Sequence, residues 1–235
     1  MLLIRSLLFY LCFASGAIFF GLLSLPLMLC PYPFRSRVLM GFNFWVLWSL
    51  KILCGVRYTV KGLENIPKDQ AIVILAKHQS TWETMFLQMQ FHPTSTILKR
   101  ELFRIPFFGW GLAALRPIPI DRSNPRKALK QVKTVGGQRL SEGNNVLVFP
   151  EGTRTPYGEV GNYARSGADI ALASGVPLIP VAHNSGRCWP MHTLVKYPGT
   201  VTVSIGKPLD ASESCSKKMT AAAKEWIEGE IASME

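Results

Sequence analysis

The chain opens on an apolar run. Residues 6–34 carry no charged side chain and pass through Leu7-Leu8-Phe9, Ile18-Phe19-Phe20 and Leu22-Leu23. About 20 apolar residues suffice to cross the hydrocarbon layer, so this stretch predicts a membrane-embedded helix even when Ser15, Gly16, Gly21 and Pro26 are discounted. It is longer than the core of a signal peptide and ends on Leu29-Cys30-Pro31-Tyr32-Pro33. No small-residue cleavage site is present there, so retention is expected rather than removal. A second apolar stretch, 38–56, is rich in aromatic residues (Phe42, Phe44, Trp45, Trp48) but interrupted by Lys51. It reads as a second span, as an interfacial helix with its tryptophans at headgroup level, or as one arm of a hairpin that re-enters one leaflet.

Beyond this point the period changes. Short β-rich runs at 71–76, 96–98, 118–120, 145–149, 178–181 and 201–205 alternate with helical stretches at 82–90, 125–140, 163–173 and 217–232. Strands that alternate with helices predict an α/β fold, with a mixed, largely parallel sheet flanked by helices behind the N-terminal membrane-embedded segment. The expected division is an anchor at 1–56 and one domain at 57–235, whose roughly 180 residues suffice for a core of their own. Val176-Pro177-Leu178-Ile179-Pro180-Val181 reads as a buried strand that its prolines confine to a sheet edge or a strand end.

Charge narrows the partners. Lys and Arg number 26 against 15 Asp and Glu, a net +11, which draws anionic lipid or an anionic substrate. Nucleic acid is not expected, because the basic residues are dispersed and no helix-turn-helix, zinc-finger or aromatic RNA-binding pattern accompanies them. Arg5 alone precedes the first apolar run, whereas Arg35, Arg37, Lys51, Arg57 and Lys61 follow it. The positive-inside rule therefore puts the domain on the cytoplasmic face of the membrane. The five cysteines form no Cys-x-x-Cys pair and the four histidines lack ligand spacing, so no metal site is expected.

Chemistry in α/β folds gathers at the carboxyl ends of strands, and two motifs sit there. Lys77-His78-Gln79-Ser80-Thr81-Trp82-Glu83 follows the first strand, and Phe149-Pro150-Glu151-Gly152-Thr153-Arg154 follows the fourth. On one helix His78 and Glu83 would point about 140° apart. They meet only if His78 lies in the turn before a helix whose first turn holds Glu83, where the helix dipole favours the carboxylate. A neutral imidazole so held is a general base near neutral pH. The same Ser80-x-x-Glu83 spacing also fits a capping box in which Glu83 bonds the backbone instead, and spacing alone leaves both readings open. Glu151-Gly152-Thr153-Arg154 offers a glycine for close backbone approach, a hydroxyl, and a guanidinium that grips phosphate through parallel bonds, unless Arg154 pairs with Glu151. Lys99-Arg100-Glu101-Leu102, followed by Pro106 and Gly109, places two cations after another strand and then an apolar turn. That block reads either as phosphate binding combined with membrane contact or as a solvated charge pair beside a hydrophobic loop. His183 reads as structural.

With these blocks in order over roughly residues 60–210, the chain resembles the glycerolipid acyltransferases, and within them those that acylate 1-acyl-sn-glycerol 3-phosphate. The His-x4-Asp box of that family falls on His78 to Glu83, with Glu in place of the usual Asp; the Lys-x-Glu-Leu block falls on Lys99 to Gly109. The Glu-Gly-Thr-Arg box falls on Glu151 to Arg154, and the proline-rich strand on Val176 to Val181. The resemblance implies direct transfer of an acyl group from acyl carrier protein or coenzyme A, as co-substrate and without a cofactor, to the sn-2 hydroxyl of lysophosphatidate, giving phosphatidate for phospholipid synthesis. His78 and Glu83 would be catalytic; Lys99, Arg100, Glu151, Gly152, Thr153 and Arg154 would bind substrate, with Lys99 and Arg154 on the phosphate. The expected partners are lysophosphatidate, the acyl thioester, acyl carrier protein and the bilayer, and the expected place is a bacterial inner membrane. The alternatives are transfer to another lysolipid, such as lysophosphatidylcholine or a lyso-ornithine lipid, and a catalytically silent membrane adaptor.

Overall fold

Two long helices lead the chain: α1 (Leu2–Leu27) and α2 (Tyr32–Cys54). Pro33 sits in the first turn of α2, where its missing N–H costs nothing, and Gly55 ends it in the left-handed conformation (φ 72°). This is a computed structural model, and it describes residues 1–121, 123–211 and 215–234.

Seven strands follow: β1 (Val56–Lys61), β2 (Val73–Ala76), β3 (Thr94–Lys99), β4 (Ile118–Ile120), β5 (Asn145–Val148), β6 (Leu178–His183) and β7 (Gly199–Ile205). Between and after them lie α3 (Trp82–Gln90), α4 (Phe108–Ala114), α5 (Pro125–Ser141), α6 (Ser166–Ser174) and α7 (Ser216–Ala232). The sheet order is β1-β7-β6-β2-β5-β3-β4. Every neighbouring pair is parallel except β6 and β7, so the sheet is mixed and largely parallel, as the alternation of elements predicts.

Period-2 burial divides the core between the two faces. Ile74, Ala76, Leu147, Ile179 and Val181 face α2 and α3, packing with Val46, Leu50, Trp82 and Phe86. Val73, Leu75, Val146, Val148 and Leu178 face α5, α6 and α7, packing with Val132, Ile170 and Ala223. The N-terminal helices therefore supply part of one layer of the domain. Phe9 of α1 is fully buried, edge-on to Trp189 at 5.2 Å. Trp45 turns toward α1 and donates from Nε1 to the Cys12 carbonyl at 2.8 Å, where Gly16 leaves room for its ring. Leu7, Leu8, Leu11, Ile18, Phe19 and Leu22 of α1, with Phe44, Trp48 and Ile52 of α2, remain exposed on the outer side.

One expectation needs correction. β6 is an interior strand between β7 and β2, although it carries Pro180. Its ladder with β7 covers only Val181 to His183, and beside Pro180 the neighbouring chain has already left β7 at Gly206. There the Pro180 carbonyl accepts from Gly206 N–H at 2.9 Å, and the missing proline donor interrupts no regular ladder.

Candidate active site

β2, β5 and β3 are adjacent and parallel, so their carboxyl ends share one edge of the sheet. That edge carries His78 two residues after β2, Phe149 to Arg154 after β5, and Lys99 at the end of β3.

His78 lies in the turn before α3, and Glu83 lies in the first turn of that helix. Nδ1 of His78 is 2.8 Å from Oε1 of Glu83. The same oxygen accepts the N–H groups of Gln79 and Ser80 at 2.9 and 2.8 Å, so Glu83 both reaches the imidazole and ties the backbone at the helix start. Its second oxygen accepts from the Ser80 and Ser185 hydroxyls. The reciprocal half of a capping box is missing, because Ser80 Oγ accepts from Trp82 N–H rather than from Glu83.

Glu83 is 0 % exposed. Burial alone would raise its pKa, but the hydrogen bond and charge of His78 and the hydrogen bond from the Ser80 hydroxyl outweigh it and bring it down to about 2. The group is therefore a carboxylate that only accepts, so Nδ1 of His78 carries the proton and Nε2 keeps its lone pair. Phe149 stacks on the imidazole at 4.1 Å and 17°, fixing its plane. The ring is still 16 % exposed, enough for a substrate hydroxyl to reach it.

Beneath the pair, His183 is fully buried between backbone groups, with Nε2 2.8 Å from the Lys77 carbonyl and Nδ1 accepting from Ser185 N–H. Burial pushes its pKa down. It acts as a neutral brace under the loop.

Glu151 turns away from the opening. Its Oε2 accepts His78 N–H at 2.9 Å, and its Oε1 lies 3.1 Å from Nζ of Lys77, with both side chains 1 % exposed. Lys77 also bonds Glu228 of α7 at 2.8 Å, and Tyr163 donates to that same carboxylate oxygen. A buried ion network thus grips the backbone of His78. Both oxygens of the Glu151 carboxylate are engaged in this network, beneath the surface.

Gly152 adopts φ 68°, and a Cβ there would meet nothing within 4 Å. Its glycine is required by the left-handed turn, not by close approach of a ligand. That turn releases Arg154 outward, where Nη2 donates to Thr81 Oγ1 at 2.9 Å rather than pairing with Glu151. Arg154, Ser80 and Thr81 line a cavity of about 360 Å³ whose other walls are Tyr10 and Phe13 of α1 and residues of the loop after β6, among them Trp189 and His192. Thr153 is exposed beside it.

Lys99 and Arg100 are exposed on the same sheet edge, but β5 separates β3 from β2. At about 4.8 Å per strand they stand roughly 10 Å to the side of the His78 strand. Neither lines the Arg154 cavity. A second, narrower cavity of about 60 Å³ runs between α1, α2, α3 and α4, with an almost wholly apolar lining that includes Gly21, Phe42, Met85 and Phe108.

The arrangement is an imidazole–carboxylate pair flanked by a guanidinium on one side and a sheath of apolar helices on the other, suited to a reactant with an anionic head and a hydrocarbon tail. Comparison with known proteins agrees. The 1-acyl-sn-glycerol-3-phosphate acyltransferase of Pseudomonas aeruginosa is 48% identical over 214 residues, 88% of this chain and 81% of that one. The chloroplastic 1-acyl-sn-glycerol-3-phosphate acyltransferase BAT2 of Brassica napus is 29% identical over 212 residues, 86% of this chain and 61% of that relative. The crystal structure of the 1-acyl-sn-glycerophosphate acyltransferase PlsC from Thermotoga maritima matches with a TM-score of 0.84 at 25% identity, covering 99% of this chain and 95% of that one. Since the sequence model of the family described as Acyltransferase also matches residues 57–184, which hold both the dyad and the arginine turn, this chain belongs to the acyltransferase family.

Proposed function

We propose that the protein transfers an acyl group from a thioester to the 2-hydroxyl of 1-acyl-sn-glycerol 3-phosphate, giving phosphatidate. The observation that carries this reading is the opening of the Arg154 cavity beside the base: Ser80 and Thr81, within the loop between His78 and Glu83, belong to its wall. Arg154 holds the phosphate there, and the glycerol hydroxyl is brought to Nε2 of His78. Nε2 takes the hydroxyl proton as the oxygen attacks the thioester carbonyl. The tetrahedral intermediate then collapses, the C–S bond breaks, and the imidazolium returns its proton to the leaving thiolate. Glu83 stabilises the imidazolium in between. No acyl-enzyme and no cofactor enter these steps. Lys99 and Arg100, displaced along the sheet edge, add positive charge that either the acceptor phosphate or an anionic donor could use.

The same reading explains the N-terminal helices. α1 touches the domain near both of its ends, through Ser6 Oγ, which accepts Lys196 N–H at 2.8 Å, and through Gly21 against Phe107. A helix docked along its length cannot also run perpendicular through a bilayer, so the pair lies as a hairpin in one leaflet with its exposed apolar side in lipid. The domain then faces the cytoplasm, where the acyl donors are. The apolar cavity between α1 and α4 takes a hydrocarbon chain.

The test supplies purified protein in detergent with lysophosphatidate and, separately, acyl-coenzyme A and acyl carrier protein, and follows thiol release. Release that requires lysophosphatidate supports the reading; release equal with lysophosphatidylcholine, or none with either donor, rejects it.

A further inference from the structure

Lys196 stands in the loop after β6 and is 0 % exposed. No carboxylate among the described residues lies within ion-pair distance of it. Its ammonium is held instead by the carbonyls of Thr193 and Leu194 at 2.9 and 3.0 Å, and by the ring faces of Tyr10 and Trp189 at 4.9 and 5.1 Å. All four of these partners line the cavity that contains Arg154. Carbonyl dipoles and π faces offset only part of the cost of burying the cation: burial pushes the Lys196 pKa down to about 8, which still leaves the ammonium charged at neutral pH.

A neutral side chain of similar length would fill this space at less cost in desolvation, because replacing a buried charge by an apolar group is often neutral or stabilising. The charge therefore calls for an anion, and the wall it stands behind faces a cavity at the His78 edge of the sheet that also holds the exposed guanidinium of Arg154. A charge buried behind that wall is screened less than an exposed one, so its field reaches into the cavity without direct contact.

We propose that Lys196 is a specificity-determining residue for an anionic acceptor: buried behind the Tyr10–Trp189 wall, it adds a fixed positive charge to the field of the Arg154 cavity and so selects a phosphate-bearing lysolipid. This rests on the reading of that cavity as the acceptor site. Two features outside the sequence motifs then take part in recognition, the loop after β6 and the first turns of α1, with Lys196 joining them through its ammonium and through its backbone N–H to Ser6.

The experiment uses the full chain in detergent and two neutral variants, Lys196→Met and Lys196→Gln, with thermal unfolding as a control and KM for acceptor and donor measured separately. The expected result is a rise of about tenfold in the KM for lysophosphatidate, with kcat and the donor KM within about twofold of wild type. Folded variants that keep the wild-type acceptor KM overturn the proposal, as do variants that lose kcat and both KM values together. If neither variant folds, the lysine serves the fold alone and the proposal falls. Failure of the wild-type protein to use lysophosphatidate would overturn the acceptor reading itself, a result separable from any behaviour of the variants.

Discussion

Oε1 of Glu83 stands 2.8 Å from Nδ1 of His78 and accepts at the same time the backbone N–H groups of Gln79 and Ser80, so one carboxylate oxygen fixes both the imidazole and the loop that carries it. The two hydrogen-bonding modes this spacing allows, to the imidazole and to the backbone at the helix start, coexist in one arrangement. The extra methylene of Glu over Asp is accommodated because Glu83 is rooted in the helix and reaches back along it.

Glu83→Gln retains the shape but removes the charge that stabilises the imidazolium. We expect kcat to fall about 10²-fold or more, within the usual contribution of acid–base catalysis, with smaller changes in either KM. Turnover near wild type would leave Glu83 a cap only.

The same group makes stability depend on pH. Its folded pKa is depressed, from 4.5 to about 2, so the stabilisation is present above about 4.5 and is lost as pH falls through about 2. Thermal unfolding between pH 5 and pH 2 should show a declining midpoint for the wild type and a shallower decline for Glu83→Gln. Parallel curves would remove Glu83 from the linkage.

Glu151 acts behind the reaction. Glu151→Ala strips the acceptor from His78 N–H and leaves Lys77, 1 % exposed, with Glu228 as its single carboxylate. Removing one member of a buried ion network costs about 3 kcal/mol or more. The expected outcome is a lower unfolding midpoint together with a loss in kcat that exceeds any rise in the KM for lysophosphatidate. A pure KM effect would return Glu151 to the substrate.

Arg154 should separate from it kinetically. Its one side-chain hydrogen bond among the described residues, to Thr81, is exposed, so Arg154→Ala should leave stability within about 0.5 kcal/mol. A charge-assisted bond to phosphate is worth about 1.5–3 kcal/mol, so the acceptor KM should rise roughly tenfold or more with little change in kcat. An unchanged acceptor KM would argue that phosphate binds elsewhere, with Lys99 and Arg100 as the next residues to vary.

Much of the fold was legible because the inner strands are short apolar runs, and Leu147 or Ile179 could hardly be anywhere but inside. β1 was not: Val56-Arg57-Tyr58-Thr59-Val60-Lys61 is a mostly exposed edge strand, and it merges with the apolar stretch before it. α4 was hidden for another reason. Phe108-Gly109-Trp110-Gly111 has poor helix propensity and is helical through packing on α1 and the preceding turn, where Gly109 lies against the Phe103 carbonyl. In the site, the motifs marked which loops matter but not the direction of each side chain, so Glu151 and Arg154, three residues apart, were grouped together although they face opposite ways. Ser185, Glu228 and Lys196 gave no local signal. Lys77 and Glu228 are 151 positions apart, and nothing in either residue alone announces a buried pair.

The helical sheath offers a prediction of another kind. Gly111 lines the narrow apolar cavity between α1 and α4, and a Cβ at this position would meet no atom within 4 Å. A larger side chain thus enters the cavity without straining the backbone, and replacing glycine within a helix adds up to about 1 kcal/mol of helix propensity. Gly111→Leu should therefore fold at least as stably as wild type while shortening the space open to a hydrocarbon chain. If that space holds the transferred chain, kcat/KM should fall for long acyl donors and hold for short ones, by about 0.8 kcal/mol, or roughly fourfold, for each methylene denied burial. Equal loss across a donor series from eight to eighteen carbons would mean that the chain lies elsewhere. A shift seen only when the acceptor's own chain is varied would give the cavity to lysophosphatidate instead.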